Sequence, residues 1–208
     1  VKSDPWVLAC EIAIADLRGK SSRFSKLAKQ LAGSKNISPF ELPELETALG
    51  CMELGSGSDK KARNHFVAAI EDPTENAFGQ ICSQEKVKIV DVSKMLQIAQ
   101  DIPRAHEANA FLMMESEQWE SSLKEAELWF YDQPFSSRPV LLASFIASTV
   151  LDRADESLKM INLSLVSNSN NPVLFNNKAY SLILLGQLGE AQKIIQQGLC
   201  LDASLELK

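Results

Sequence analysis

The chain has 208 residues, 45% of them hydrophobic and 23% charged, which is globular composition and room for one large domain, two small ones or a repeat array. A net charge of -6 argues against nucleic acid as the main partner. The longest apolar run, "PVLLASFIASTVL" at 139–151, has 13 residues, short of the roughly 20 that a bilayer span requires, so no membrane span is expected.

The chain opens on Val1 rather than Met, and no basic stretch leads into an apolar one. We therefore expect a segment of a longer protein, with no visible secretion signal. Cys10, Cys51, Cys82 and Cys200 show no CxxC spacing. They read as small buried hydrophobes in a reducing compartment, the cytoplasm.

In chain order, 4–33 reads as two helices, with Trp6 and Leu17 on the first and Phe24, Leu27 and Leu31 on the second. Seven bases fall within 1–35 against Asp4, Glu11 and Asp16, which reads as a solvated helix face. Residues 38–72 hold Leu49-Gly50, then Ala62 and Phe66, with Pro73 just beyond. The stretch "GSGSDKK" at 55–61 lacks a preceding strand and a Gly-Lys-Ser/Thr ending, so it is expected to be a turn rather than a phosphate loop.

Residues 74–103 depart most from their neighbours. "VKIVDV" is β-branched enough to suit a strand, but Val87, Val90, Lys94, Met95 and Ile98 fall at helical spacing, and we expect helix through 87–92. In 104–134, Ala110 and Ser122 stand 12 apart and Pro134 closes the unit. Of the aromatics in "AELWFYDQPF", Trp129 and one neighbour are expected in the core, since adjacent helical residues point different ways.

Residues 137–168 open on Pro139-Val140-Leu141 and 171–203 on Pro172-Val173-Leu174, 33 later; proline suits a helix's first turn. The first of these two units has its turn shortened by one and puts Phe145 or Ile146 where a small residue is wanted. In the second, Ala179 and Ala191 are 12 apart, with Phe175 and Ile195 at large apolar positions. Gly186 is expected to end the unit's first helix, and Gly189 to lie in the following turn.

This pattern, a period near 34 with two helices per unit, resembles the tetratricopeptide repeat (TPR) family, with its glycine or alanine pair across each hairpin and its large apolar residue four beyond. The second, fourth and sixth units carry the motif best. The resemblance implies an all-α, right-handed TPR solenoid of five to six hairpins, a single domain over 1–208, of bacterial type. Small residues at the paired positions let the two helices of a hairpin cross closely.

The family's first helices line a concave groove that binds peptides or protein segments. Carried onto this chain, the groove positions include Arg104, Glu107, Ala108 and Phe111; Ala143, Ser144 and Ala147; and Val173, Asn176, Asn177 and Tyr180. Arg104, Phe111, Ala143, Ala147, Asn176, Asn177 and Tyr180 are the candidate partner-binding residues. Asn177 matches the asparagine of the family's carboxylate clamp, whose lysines and arginines have no counterparts in the adjacent units, so a chaperone C-terminus is disfavoured as partner.

His65 and His106 are 41 apart with no ligand-spaced neighbours, so no metal is expected. No cofactor and no catalytic pair of nucleophile and base is expected either. The reading is a non-enzymatic module binding a protein or peptide. The alternative is a sensor or regulatory domain controlling a fused or partner enzyme.

Overall fold

The structure, a computed structural model, describes residues 4–34, 37, 39–84 and 92–206. The described residues form twelve α-helices and no strand. They fall into two compact units, Val1–Ala108 and Asn109–Lys208.

The first unit starts with α1 (Pro5–Leu17), α2 (Ser25–Ala32), α3 (Pro43–Gly55) and α4 (Asp59–Ala69), with a 3-10 turn at Pro39–Glu41 before α3. It continues with α5 (Glu75–Cys82) and α6 (Val92–Asp101) and runs into α7 (His106–Glu115). The expected helix at 87–92 lies outside the described residues except for Val92, which opens α6. One core joins Leu8, Ala9 and Ile12 of α1, Ala28 of α2, and Leu45, Ala48 and Leu49 of α3.

The second unit holds α8 (Trp119–Asp132), α9 (Arg138–Phe145), α10 (Ala154–Leu165), α11 (Pro172–Leu184) and α12 (Leu188–Glu206). Its larger core packs Ala110, Leu123, Ala126 and Phe130 with Val140, Ala143, Ile146, Ala147, Met160, Ile161 and Leu174. The six pairs of helices coincide with the six units read from the sequence, and the fold is an all-α, TPR-like helical repeat.

The hairpins cross where small residues stand in pairs. A Cβ on Gly50 would lie 2.3 Å from the Phe66 ring, so the glycine is required for α3 to approach α4. Ser122, fully buried, donates its hydroxyl proton to the Ala110 carbonyl across 2.6 Å. Ala179 and Ala191, both buried, share a smaller core with Leu182 and Ile194. Ile194 rather than Ile195 enters that core; Ile195 is 44% exposed.

Five first helices end the same way. Gly19, Gly57, Glu117, Asp152 and Gly186 have φ between 56 and 78. After Gly186 the chain closes with Gly186 N–H on the Ile183 carbonyl (2.9 Å) and Gln187 N–H on the Leu182 carbonyl (2.9 Å), the paired bonds of a Schellman motif. Gly57 and Glu117 repeat that pair. Gly189 lies in the first turn of α12 rather than in the turn before it.

The fifth unit solves its misplaced bulk by a change of helix type. Beyond α9 the chain runs as a π-helix over Ile146–Val150, with Leu151 N–H on the Ile146 carbonyl (3.0 Å) and Arg153 N–H on the Ala147 carbonyl (2.7 Å). The wider turn leaves Ile146 fully buried while Phe145 stays 46% exposed.

The left-handed positions give a prediction. Nothing lies within 4 Å of a Cβ built on Gly186, so Gly186→Ala pays only for the backbone conformation, about 1 kcal/mol. Glu117 already carries that strain, so Glu117→Gly should stabilise by about 0.5 kcal/mol once the added chain entropy is deducted. Urea unfolding checks both signs; a stabilised Gly186→Ala would contradict the motif.

Two expectations about side chains are settled in the described residues. Trp129 and Phe130 are buried, at 2% and 6% exposure, while Tyr131 and Phe135 project into solvent. The cysteines depart from expectation: Cys10 and Cys200 are exposed, and Cys51 and Cys82 are half-buried. Cys10 lies on α1 beside the exposed Trp6 and Val7, and Cys200 lies on α12.

Candidate binding surface

The surface grows from α11. Asn171 caps this helix, its side-chain oxygen accepting the N–H of Val173 (3.0 Å) and Leu174 (3.3 Å), and Pro172 takes the first turn where its missing N–H costs nothing. Leu174 turns into the core with α9 and α10. Val173, Asn176 and Tyr180, at helical spacing on another face, remain exposed; Tyr180 is 42% accessible.

Asn177 is placed between this face and α9. Its amide donates to the hydroxyl of Ser144 at 3.0 Å, a residue 33 earlier and fully buried. Ser181, one turn on, donates to the Asn177 carbonyl (3.0 Å) and meets the hydroxyl of Ser157 on α10 at 2.8 Å. Ser144 in turn shares its carbonyl with the Ser148 hydroxyl, 2.6 Å. A buried polar ladder therefore fixes the rotation of α11 against α9 and α10, since each group unpaired would cost about 1–3 kcal/mol.

The other candidates divide. Ala143 and Ala147 are 0% and 1% exposed and pack in the core with Ile161 and Leu174. The expectation that they line a partner-binding groove is not met: both are buried beside Leu174 of α11, where alanine serves close packing. Phe111, half-buried, meets Trp129 edge-on with ring centroids 6.1 Å apart. Arg104 lies in the first unit, exposed, with φ 57 at the turn that opens α7. Glu107 and Ala108 are buried. The structure thus leaves Asn176 and Tyr180 on one exposed face of α11, joins Asn177 to Ser144, and gives the remainder other roles.

Several charged groups pair between helices. Lys29 of α2 is hydrogen-bonded to the buried Glu53 of α3 and holds its carboxyl below the usual carboxylate range. His65 of α4 meets Glu46 of α3 at 2.6 Å. Arg153 forks onto Glu120, 33 residues earlier, with Nη1 at 2.9 Å, an exposed pair worth little in stability but one that repeats the Ser144–Asn177 offset. Beside it, burial and the neighbouring Glu156 push the Glu127 carboxyl up. None of these pairs was foreseen in the sequence, where a pairing partner one repeat away is hidden among many charges. Among the described residues, no group of three or more His, Cys, Asp or Glu is placed to hold a metal ion, and no helix is long and apolar enough to cross a membrane.

An all-α protein of stacked helical hairpins is the class that these elements define. No protein-family model matches the chain, and no curated protein does at the level of sequence. Among solved structures, a mutant of MamA is similar over 96% of this chain and 96% of its own, with a TM-score of 0.50 and 11% identity. A second, "MamA MSR-1 C2", is similar over 98% and 97%, with a TM-score of 0.49 and 12% identity. At that identity the likeness concerns the fold.

Proposed function

We propose that the chain is a non-enzymatic protein-interaction module that binds an extended peptide or protein segment along the exposed face of α11. The observation that carries this reading is the row of Val173, Asn176 and Tyr180, accessible and apolar to amphipathic in character, on a helix whose rotation is fixed by buried hydrogen bonds. A side-chain amide offers a peptide backbone both a donor and an acceptor. Tyrosine gives contact area at low entropic cost and is a common interface anchor. Asn177, engaged with Ser144, positions the face rather than contacting the partner directly. The net charge of -6 favours a protein partner over nucleic acid, and four free cysteines suit the reducing cytoplasm.

Binding is tested with peptides selected from a random library against the 208-residue chain. Asn176→Ala combined with Tyr180→Ala should weaken binding about 10- to 30-fold, the loss of one or two buried hydrogen bonds and a ring contact. Far-UV dichroism and melting should stay unchanged, because both residues are exposed. Arg23→Glu with Lys26→Glu should leave binding intact. If that pair abolishes binding while the α11 pair binds normally, the first hairpin is the docking face and the reading fails.

A further inference from the structure

The exposed face of α11 extends beyond Val173, Asn176 and Tyr180. Ile183 and Leu184 follow them at steps of three and four, and all five fall within an arc of about 100° around the helix. Val173 is 50% exposed, Tyr180 42%, Ile183 45% and Leu184 43%; Asn176 is exposed as well. From Val173 to Leu184 the strip runs about 16 Å, the reach of roughly five residues of extended chain.

The strip holds no charge. The single charged side chain of α11 is Lys178, which helical spacing puts on the opposite side of the helix. The neighbouring first helix, α9, joined to α11 by the bond between Ser144 and Asn177, lies in a run from Pro139 to Leu151 with no charged residue. The chain as a whole is 23% charged, and its earlier first helices carry their share. α1 holds Glu11 and Asp16, α3 holds Glu44, Glu46 and Glu53, and α7 holds Glu107 and Glu115. Loss of charge is therefore particular to α9 and α11.

A charge-free strip selects what it binds. A Lys, Arg, Asp or Glu side chain pressed onto it gives up water and meets no opposite charge in exchange. An apolar side chain gains by leaving water. Asn176 serves the peptide backbone amid these apolar contacts, because its amide both donates and accepts. Resting on the reading of α11 as the peptide-binding face, we propose that the segment bound there is apolar and uncharged. About five extended residues place aliphatic or aromatic side chains against Val173, Tyr180 and Leu184, and a backbone amide on Asn176. Attraction between charges takes no part, so binding is insensitive to salt.

The test uses the 208-residue chain and a library of heptapeptides, acetylated and amidated to remove terminal charge, with the central five positions randomised. Selected sequences should be rich in Leu, Ile, Val, Phe and Tyr and should lack Asp, Glu, Lys and Arg throughout the five. Changing one central residue of a selected peptide to Glu or to Lys should weaken binding about tenfold or more, for both signs alike. Affinity should change less than about twofold between roughly 50 and 500 mM salt. Tyr180→Lys should then favour the Glu peptide over the Lys peptide. The position is exposed, so dichroism should confirm a folded chain; Val173→Lys, at a more exposed site, replaces it if it misfolds. Selected peptides that depend on Asn176 and Tyr180 but carry charge within the five, or that lose affinity steeply with salt, would overturn this inference and leave α11 as the binding face. A library that yields no binder, or binders indifferent to Asn176→Ala with Tyr180→Ala, would overturn both. So would a dimeric chain that Tyr180→Lys makes monomeric, since a second copy would then hold the face.

Discussion

Replacing Trp129 by alanine should remove about 3–5 kcal/mol of stability, the range for truncating a buried large aromatic. The ring is 2% exposed, with Phe111 edge-on at 6.1 Å and the Arg138 guanidinium over its face at 5.2 Å. A domain holds only about 5–15 kcal/mol in total, so the variant should unfold at far lower urea. Its indole N–H has no hydrogen-bond partner. Trp129→Phe therefore gives up volume without giving up a bond, and should cost under about 1.5 kcal/mol. Tyr131→Ala, two residues away and 70% exposed, should fall within about 0.5 kcal/mol of the unaltered chain. Equal losses at 129 and 131 would show that the aromatic run is a surface cage and not core.

Gly50→Ala sets two effects against each other. In a helix interior, alanine gains up to about 1 kcal/mol over glycine. The new methyl, however, would stand 2.3 Å from Phe66 Cε1 and 2.6 Å from Cδ1, and Phe66 is fully buried, so the ring has nowhere to swing. Overpacking of that kind costs about 1–3 kcal/mol, at times more, and at this separation it wins. The expected net loss is about 2 kcal/mol. Phe66→Leu in the same chain should return part of it, because the ring edge that clashes is gone; the two changes together should cost less than their sum. A stabilised Gly50→Ala would mean that α3 and α4 do not cross there.

What was legible in the sequence was the part that a period can carry. Pro139 and Pro172 mark helix starts, and Gly50–Ala62, Ala110–Ser122 and Ala179–Ala191 mark crossings; each follows from local spacing, and all six helix pairs emerged from it. The rotation of each helix about its axis was not legible in the fifth unit. Counting from the motif carried Ala143 and Ala147 onto an inner face, whereas both pack in the core with Ile161 and Leu174, because what covers α9 is set by how neighbouring hairpins pack and not by the pattern of one hairpin. The same counting placed Ile195 inside, where Ile194 goes instead. Ser144 was on the expected inner face, but its bond to Asn177 depends on how two hairpins stack. That is a contact between units, invisible to a pattern that describes one unit at a time. Gly186 was read correctly because a left-handed helix end favours glycine, whereas Glu117 and Asp152 hold the same conformation without that signature.

The stacking of α11 on α9, which orients the proposed binding face, is tested most directly by a double-mutant cycle on Ser144 and Asn177. Stability is measured in urea for Ser144→Ala, Asn177→Ala and the combination. The 3.0 Å hydrogen bond between a fully buried hydroxyl and the amide predicts a coupling of about 1 kcal/mol, with Asn176→Ala showing none against Ser144→Ala. Strict additivity of Ser144→Ala and Asn177→Ala, or coupling that appears at Asn176 instead, would contradict the register on which the account rests.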